Sequence, residues 1–415
     1  MRVAVPVRAS RLASHLASRV ATRLTALASS PVIRDALRDA FIAWLGQRVL
    51  LLSLVWIAQA TTSSPSVASL YRIWVRYDGR LFADVASRGY VELWQAAFYP
   101  LFPALEHLLA PLTGGDPALA GLVVANVASF GAFVLLRLLV ERDVGPQVAR
   151  RTLLYLVLFP TSMFLAAAYS ESLFLLLSAA TFLALRERSW LLAGLLAALA
   201  TLTRASGVLL LVPLAMTIYA ALYPTLRSRA RWDSLALRER LRLAAPPLAA
   251  CILPLVALAG LDLVLSLRLG VPNALSRAED QGWGRALDWP WDGLLRSLAM
   301  VVSHFPSVAG MDLLFAVLWL ALAGAMLLPA ARALPRTYVA YTWVSLLLVL
   351  IEPLHPAGLS PLTSISRYLL VVFPCFVLLA QLSTRSRWLH YGMLAAFACQ
   401  LVALTWLFAQ GKFVA

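Results

Sequence analysis

Charged residues are few in this sequence. Asp, Glu, Lys and Arg together make up 13% of its 415 residues, where a soluble domain carries roughly a quarter. Apolar residues reach 61%, and this excess, with so little charge, excludes an ordinary soluble fold. Only three cysteines occur, Cys251, Cys375 and Cys399. All lie in apolar runs without metal-ligand spacing, so no cysteine-bound metal is expected. No repeat of about 20–50 residues recurs and no symmetry relates two halves, which counts against solenoids and repeat-built transporters. No short apolar stretch with a cleavage site opens the chain, which counts against a removed secretory signal. Nucleotide-sugar motifs and acidic metal-binding pairs are also missing, so no obligatory metal or other cofactor is expected.

What the chain has in quantity is long apolar runs. A helix needs about 17–25 apolar residues to cross a bilayer. On that scale spans are expected near 39–59, 118–140, 152–168, 171–185, 190–203, 205–223, 244–267, 311–330, 337–353, 367–382 and 389–408. The fold class is therefore an all-α polytopic membrane protein of roughly eleven transmembrane helices. Residues 1–38 differ: Leu12, Leu16, Val20 and Leu24 recur every fourth position, with Arg11, Arg19 and Arg23 among them. That pattern predicts a basic amphipathic helix on the cytoplasmic leaflet, although a transit peptide has a similar composition. The expected division is 1–38 as this segment and 39–409 as the membrane domain, with outer loops 60–117 and 269–298.

The net charge of +15 rests on arginine, with Lys412 the one lysine. Nucleic acid would be the natural partner in a soluble chain. Here the arginines sit in short connectors, so they report topology and contact with anionic lipid. With a cytoplasmic N-terminus, the inner connectors hold about 22 basic residues and the outer ones about 11.

That orientation gathers the polar motifs on the outer face. The densest is Val75–Tyr90, with two aspartates and three arginines. Trp74, Tyr77, Leu81 and Val85 are three or four apart, which predicts an interfacial helix over 72–87. Asp78 is the candidate catalytic base. Asp84 can pair with Arg80 at helical spacing. Phe98-Tyr99-Pro100-Leu101-Phe102-Pro103 cannot continue a regular helix and is expected to wall a cavity beside Asp78. Pro160 breaks the third span, and Tyr169-Ser170-Glu171-Ser172 sets a carboxylate at a helix start, either favoured there by the dipole or holding a hydroxyl or a basic residue. Arg204 and Arg367 sit at span ends, where arginine snorkels or grips phosphate oxygens, with His355 nearby. Trp283, Trp289 and Trp291 share the loop 269–298 with Glu279, Asp280 and Arg285, a composition suited to a sugar face or to an interfacial cap.

Five segments together carry a resemblance. They are Tyr77-Asp78 with Phe82 and Gly89-Tyr90; Phe98 to Pro103; Phe159-Pro160-Thr161-Ser162-Met163-Phe164 with Tyr169-Ser170-Glu171-Ser172; Thr203-Arg204-Ala205-Ser206-Gly207; and Ser366-Arg367-Tyr368 with Phe373-Pro374. In order and spacing the chain resembles the PIG-V-like mannosyltransferases, of the GT-C class of membrane glycosyltransferases. It departs from the usual Trp-Asp with Tyr77-Asp78, and from Arg-Ser-Asn-Gly with Arg204-Ala205-Ser206-Gly207. The resemblance implies a GT-C bundle whose first outer loop carries the catalytic acid at Asp78. It also implies a polyprenyl-phosphate mannose donor and a glycolipid or other extracytoplasmic acceptor. Arg204, Arg367 and His355 are then expected on the donor phosphate, and Tyr77, Asp84, Tyr99, Tyr169 and Glu171 on the sugar and acceptor. Near-exclusive arginine and short loops resemble a bacterial member, working at the plasma membrane; a eukaryotic one would work in the endoplasmic reticulum. The alternatives are a GT-C transferase for another sugar and a lipid or solute transporter, which would need its polar groups at mid-membrane.

Overall fold

A computed structural model describes residues 30–61, 66–227, 236–303, 308–331, 333–356 and 359–414. The described chain is helical: α1 (Pro31–Ala60), α2 (Val67–Trp74), α3 (Asp78–Arg88), α4 (Leu101–Leu109), α5 (Pro117–Asp143), α6 (Pro146–Leu158), α7 (Glu171–Arg186), α8 (Trp190–Thr201), α9 (Leu211–Leu226), α10 (Leu237–Leu269), α11 (Ala274–Arg277), α12 (Asp292–Ser303), α13 (Val308–Ala325), α14 (Arg336–Ile351), α15 (Ile365–Val371), α16 (Phe373–Ser383) and α17 (Arg387–Ala409). Among the described residues there is no strand, and one antiparallel bridge joins Arg285 to Leu354. The amphipathic helix expected in the N-terminal segment falls at residues outside the described ones. The boundary expected at 38/39 falls inside α1, which starts with Pro31 in the first turn, where its fixed φ suits a helix start.

Five helices among the described residues are long and apolar enough to cross a membrane: Pro31–Ala60, Pro117–Asp143, Ala205–Thr225, Leu237–Leu269 and Arg387–Ala409. A sixth is the pair α15 and α16, bent by 75°. The other expected spans coincide with shorter helices, α6, α7, α8, α13 and α14. Proline explains the clearest case. The run 152–168 is helical only to Leu158, because Pro160 follows and the chain turns through a single 3-10 turn at Ser162–Leu165.

Irregular backbone away from water needs hydrogen-bond partners from elsewhere. Buried Gln47 on α1 donates to Val157 O at 3.0 Å and Ser162 O at 3.2 Å. Arg48 donates to Leu165 O at 2.9 Å, and Asn126 on α5 to Ala166 O at 3.1 Å. Thr161 donates to Ser366 O at 3.1 Å, which ties this break to α15. Arg48, a charge in an apolar span, is thereby accounted for: it holds the break open beside Glu171.

α7 runs through the buried centre with charge at both ends. Its last turn carries Arg186, paired with Asp143 at 2.8 Å, and Tyr338 donates to the same carboxylate. Its first residue is Glu171. The helix that carries both polar ends is sixteen residues long, about 24 Å at 1.5 Å per residue.

Elsewhere small residues let helices touch. A Cβ on Gly194 of α8 would stand 2.5 Å from Ala250 Cα and 2.6 Å from Ala250 O of α10. Backbone cannot yield there, so Gly194→Leu forces α8 away from α10, and overpacking of this kind costs about 1–3 kcal/mol. Thermal unfolding in detergent should show a clear fall for this variant. Gly46→Ala, in open space on α1, should melt no lower than wild type.

Candidate active site

The helix expected over 72–87 is broken. α2 ends at Trp74 and α3 begins at Asp78, with Tyr77 between them at φ +52°, a region that normally favours glycine. Its side chain offsets the strain: the hydroxyl donates to Gly411 O at 2.6 Å, and the ring packs on Phe408 and Phe413. The break lets α3 start against the 168–169 turn. Ala168 N donates to Trp74 O at 3.0 Å, and a Cβ on Gly79 would already lie 3.1 Å from Ala168 O. Asp78 and Glu171 therefore each open a helix, with both helix starts converging on one turn.

Two guanidinium groups join these carboxylates. Arg367, from the first turn of α15, pairs with Asp78 Oδ2 at 2.8 Å and donates through Nε and Nη2 to Glu171 Oε1 at 2.9 and 2.6 Å. Its guanidinium also lies 4.8 Å from the ring centroids of both Phe164 and Tyr169. Arg204, just after α8, reaches Glu171 Oε1 at 3.0 Å and Ser170 Oγ at 3.2 Å. The Glu171 side chain is 0% exposed, whereas that of Asp78 is 24% exposed. Glu171 is thus the interior anchor and Asp78 the accessible end of the row.

Asp78, Arg204 and Arg367 border a cavity of about 360 Å³, within the usual size of a ligand site. Phe174, Trp319, Leu348, Val349 and Val371 are apolar parts of its lining. Its far wall is a meeting of two loops. Arg285 bridges to Leu354, His355 N donates to Gly284 O at 2.9 Å, and Arg285 donates to Glu352 O and Thr363 O at 3.0 and 3.1 Å. Gly284 is required there, with φ +70° and a would-be Cβ 2.5 Å from Pro356 Cγ. Glu279, Trp283 and Glu352 face the cavity from this wall, and Tyr99 adjoins them. Burial pushes the Glu279 carboxyl above its ordinary pKa, with Arg285 opposing. The guanidinium groups of Arg204 and Arg285 both stack on Tyr368, at 5.5 and 5.6 Å from its centroid. Among the described residues no three of His, Cys, Asp and Glu come together as a metal site.

The sequence profile of the mannosyltransferase (PIG-V) family matches residues 52–261, half of the chain. The chain belongs to this family. Among its relatives, GPI alpha-1,6-mannosyltransferase 2 of Cricetulus griseus is 36% identical over 146 residues, covering 32% of this chain and 29% of the relative. GPI mannosyltransferase 2 of Cryptococcus neoformans is 33% identical over 145 residues, covering 32% and 34%. The chain thus matches less than two thirds of the length of these curated relatives. No solved structure matches it. The family match takes in Asp78, Glu171 and Arg204. Arg367 and the loop pair of the far wall lie beyond it.

In this PIG-V family chain the expected site residues have separate fates. Asp78, Tyr99, Arg204 and Arg367 border the cavity. Glu171 and Tyr169 sit behind it as buried supports, Tyr169 donating to Arg76 O at 3.0 Å. Tyr77 turns to the C-terminal segment rather than to the cavity. Asp84 pairs with Arg88 rather than Arg80 and accepts from Gln95 at 3.0 Å. The acid-before-base order at i,i+4 is the better of the two. His355 is 40% exposed, with Asp288 at 3.8 Å, and lies off the cavity. Sequence reasoning gave no role to Tyr368 or Glu352. It noted Arg285 only as part of a Trp-rich loop, and that loop's mix of tryptophan and acid was the available signal.

Removing one partner of a buried ion pair strands the others and costs about 3–5 kcal/mol. Glu171→Gln leaves Arg367 and Arg204 facing a neutral amide. Its unfolding, followed by denaturant titration in micelles, should show a loss of that size. A variant as stable as wild type would contradict the anchoring role.

Proposed function

We propose that this protein is an inverting glycosyltransferase, moving mannose from polyprenyl-phosphate mannose to a hydroxyl of a lipid-linked or other extracytoplasmic acceptor. The observation that carries the reading is an accessible carboxylate, Asp78, held by Arg367 at a cavity whose lining is partly apolar. Membership of the PIG-V family supports mannose, and the relatives, GPI mannosyltransferases, support a glycolipid acceptor. The bundle is read as GT-C-type, its shorter helices completing the roughly eleven crossings expected. The arginine bias supports an outward-facing cavity, at the plasma membrane in a bacterium or the endoplasmic reticulum in a eukaryote.

In this mechanism the acceptor hydroxyl oxygen attacks the anomeric carbon as its proton passes to the Asp78 carboxylate. The bond from the anomeric carbon to the phosphate oxygen breaks, its electron pair stays on the phosphate, and the configuration inverts. A phosphate leaves well without a proton, so no general acid is required. Arg367 is already shared by two carboxylates, which suits it to fixing the base. Arg204 and Arg285, which share the Tyr368 ring, are the better groups for the departing phosphate. The apolar part of the lining suits the prenyl chain. Holding donor and acceptor together supplies much of the remaining acceleration.

Asp78→Asn preserves shape but cannot accept the proton. Transfer from radiolabelled polyprenyl-phosphate mannose should fall by about 10²- to 10⁴-fold while the variant still binds the donor lipid. Normal turnover by the purified variant would remove Asp78 from the role of base.

A further inference from the structure

The cavity carries a second group of charged residues, and the reaction proposed above leaves its two carboxylates unused. At the reaction end, Asp78 and Glu171 are matched by Arg204 and Arg367. At the other end Glu279 and Glu352 line the cavity with Arg285 in electrostatic reach of both and Arg204 in reach of Glu279. Carboxylates of this kind are strong acceptors for hydroxyl groups.

The wall is built rather than accidental. Glu279 lies in a single π turn, Ala278–Gly282, a deviation that re-aims side chains within a helix. This turn packs on Trp94, close enough that a Cβ on Gly282 would come within 2.9 Å of it. Trp283 follows, its indole N–H donating to Trp94 O at 3.2 Å and its ring held edge-on by Phe98 at 5.7 Å. Glu352 arrives from a loop more than sixty residues further on, joined to the first by the Arg285–Leu354 bridge. Neither Glu279 nor Glu352 spends its carboxylate on an ion pair among the described residues. An aromatic face beside two hydrogen-bond acceptors is the arrangement that receives a pyranose ring, its C–H face on the indole and its hydroxyls on the acids.

We propose that Glu279 and Glu352, with Trp283, form the subsite for the acceptor's sugar ring, accepting hydrogen bonds from neighbouring hydroxyls. This rests on the transferase reading and deepens it. All three residues lie outside the segment that matches the family profile, 52–261. Acceptor choice is thereby assigned to the part of the chain that the profile does not cover, and the reaction end to the part it largely does.

The test uses the full-length protein in detergent with octyl α-mannoside as the acceptor probe. Its binding is measured by tryptophan fluorescence, and transfer from polyprenyl-phosphate mannose is measured alongside. Glu279→Gln and Glu352→Gln should each weaken mannoside binding and raise its KM about tenfold, about 1.4 kcal/mol, with the KM of the donor unchanged. In wild type one or two adjacent monodeoxy mannosides should show a similar loss, and in the variants those same analogues should lose little more. Glu187→Gln, exposed at the opposite end of α7, should change nothing, and thermal unfolding checks that all variants fold. Equal mannoside affinity in wild type and both variants overturns the proposal. So does a rise in donor KM in place of acceptor KM, or failure of wild type to bind the mannoside. If wild type transfers mannose under any of these outcomes, the transferase reading survives without this subsite. Mannoside binding that depends on Glu279 without any transfer would leave the subsite and remove the transferase.

Discussion

The site depends on one buried oxygen. Glu171 Oε1 accepts from Arg367 and also lies within ion-pair distance of Arg204, and these two arginines come from helices far apart in the chain. An unpaired carboxylate at that depth would be strongly unfavourable, and so would either guanidinium. Each is tolerable only because the others are present. The consequence is geometric: α7, the end of α8 and the start of α15 are tied at one point. Asp78 is added to that point by its own contact with Arg367. A carboxylate fixed by such a row has little freedom to wander, and fixed geometry is what the role proposed for Asp78 requires.

The row needs somewhere to sit, and the broken backbone over 159–170 provides it. A continuous helix through this stretch would leave no room for α3 to begin against Ala168. Breaking the helix exposes carbonyls, and the chain answers with Gln47, Arg48, Asn126 and Ser172, whose side chains reach Val157, Ser162, Leu165 and Ala166. Several polar residues inside apolar helices thus have a single explanation. They replace the hydrogen bonds that water would have made.

This distinction separates what the sequence reveals from what it hides. Arg204 and Arg367 stand out because polar groups are rare in their surroundings, and Asp78 because its segment is the densest in charge; the three do converge. The break at Pro160 is readable from proline alone. The break at Tyr77 is not, since Trp74, Tyr77, Leu81 and Val85 keep helical spacing straight across it. Nothing local to Arg367 announces that Glu171, 196 positions earlier, already claims it, so the sequence casts it as a phosphate ligand. Hydropathy likewise registers apolar length but not helix length, which is why eleven apolar runs yield five or six long helices. The far wall is hidden for a related reason: Glu279 and Glu352 meet through a loop pairing that has no periodic signature.

Charge counting then favours a particular division of labour. Two carboxylates and two guanidinium groups at the reaction end already balance, so a donor phosphate arriving there adds a negative charge that this quartet alone does not neutralise. Arg285 is the next cation, and it shares the Tyr368 ring with Arg204. Two guanidinium groups on one ring repel each other, and an anion lying between them turns that repulsion into attraction. In the proposed reaction the phosphate gains negative charge as its bond to the sugar breaks, so this attraction grows toward the transition state, which is where binding accelerates chemistry.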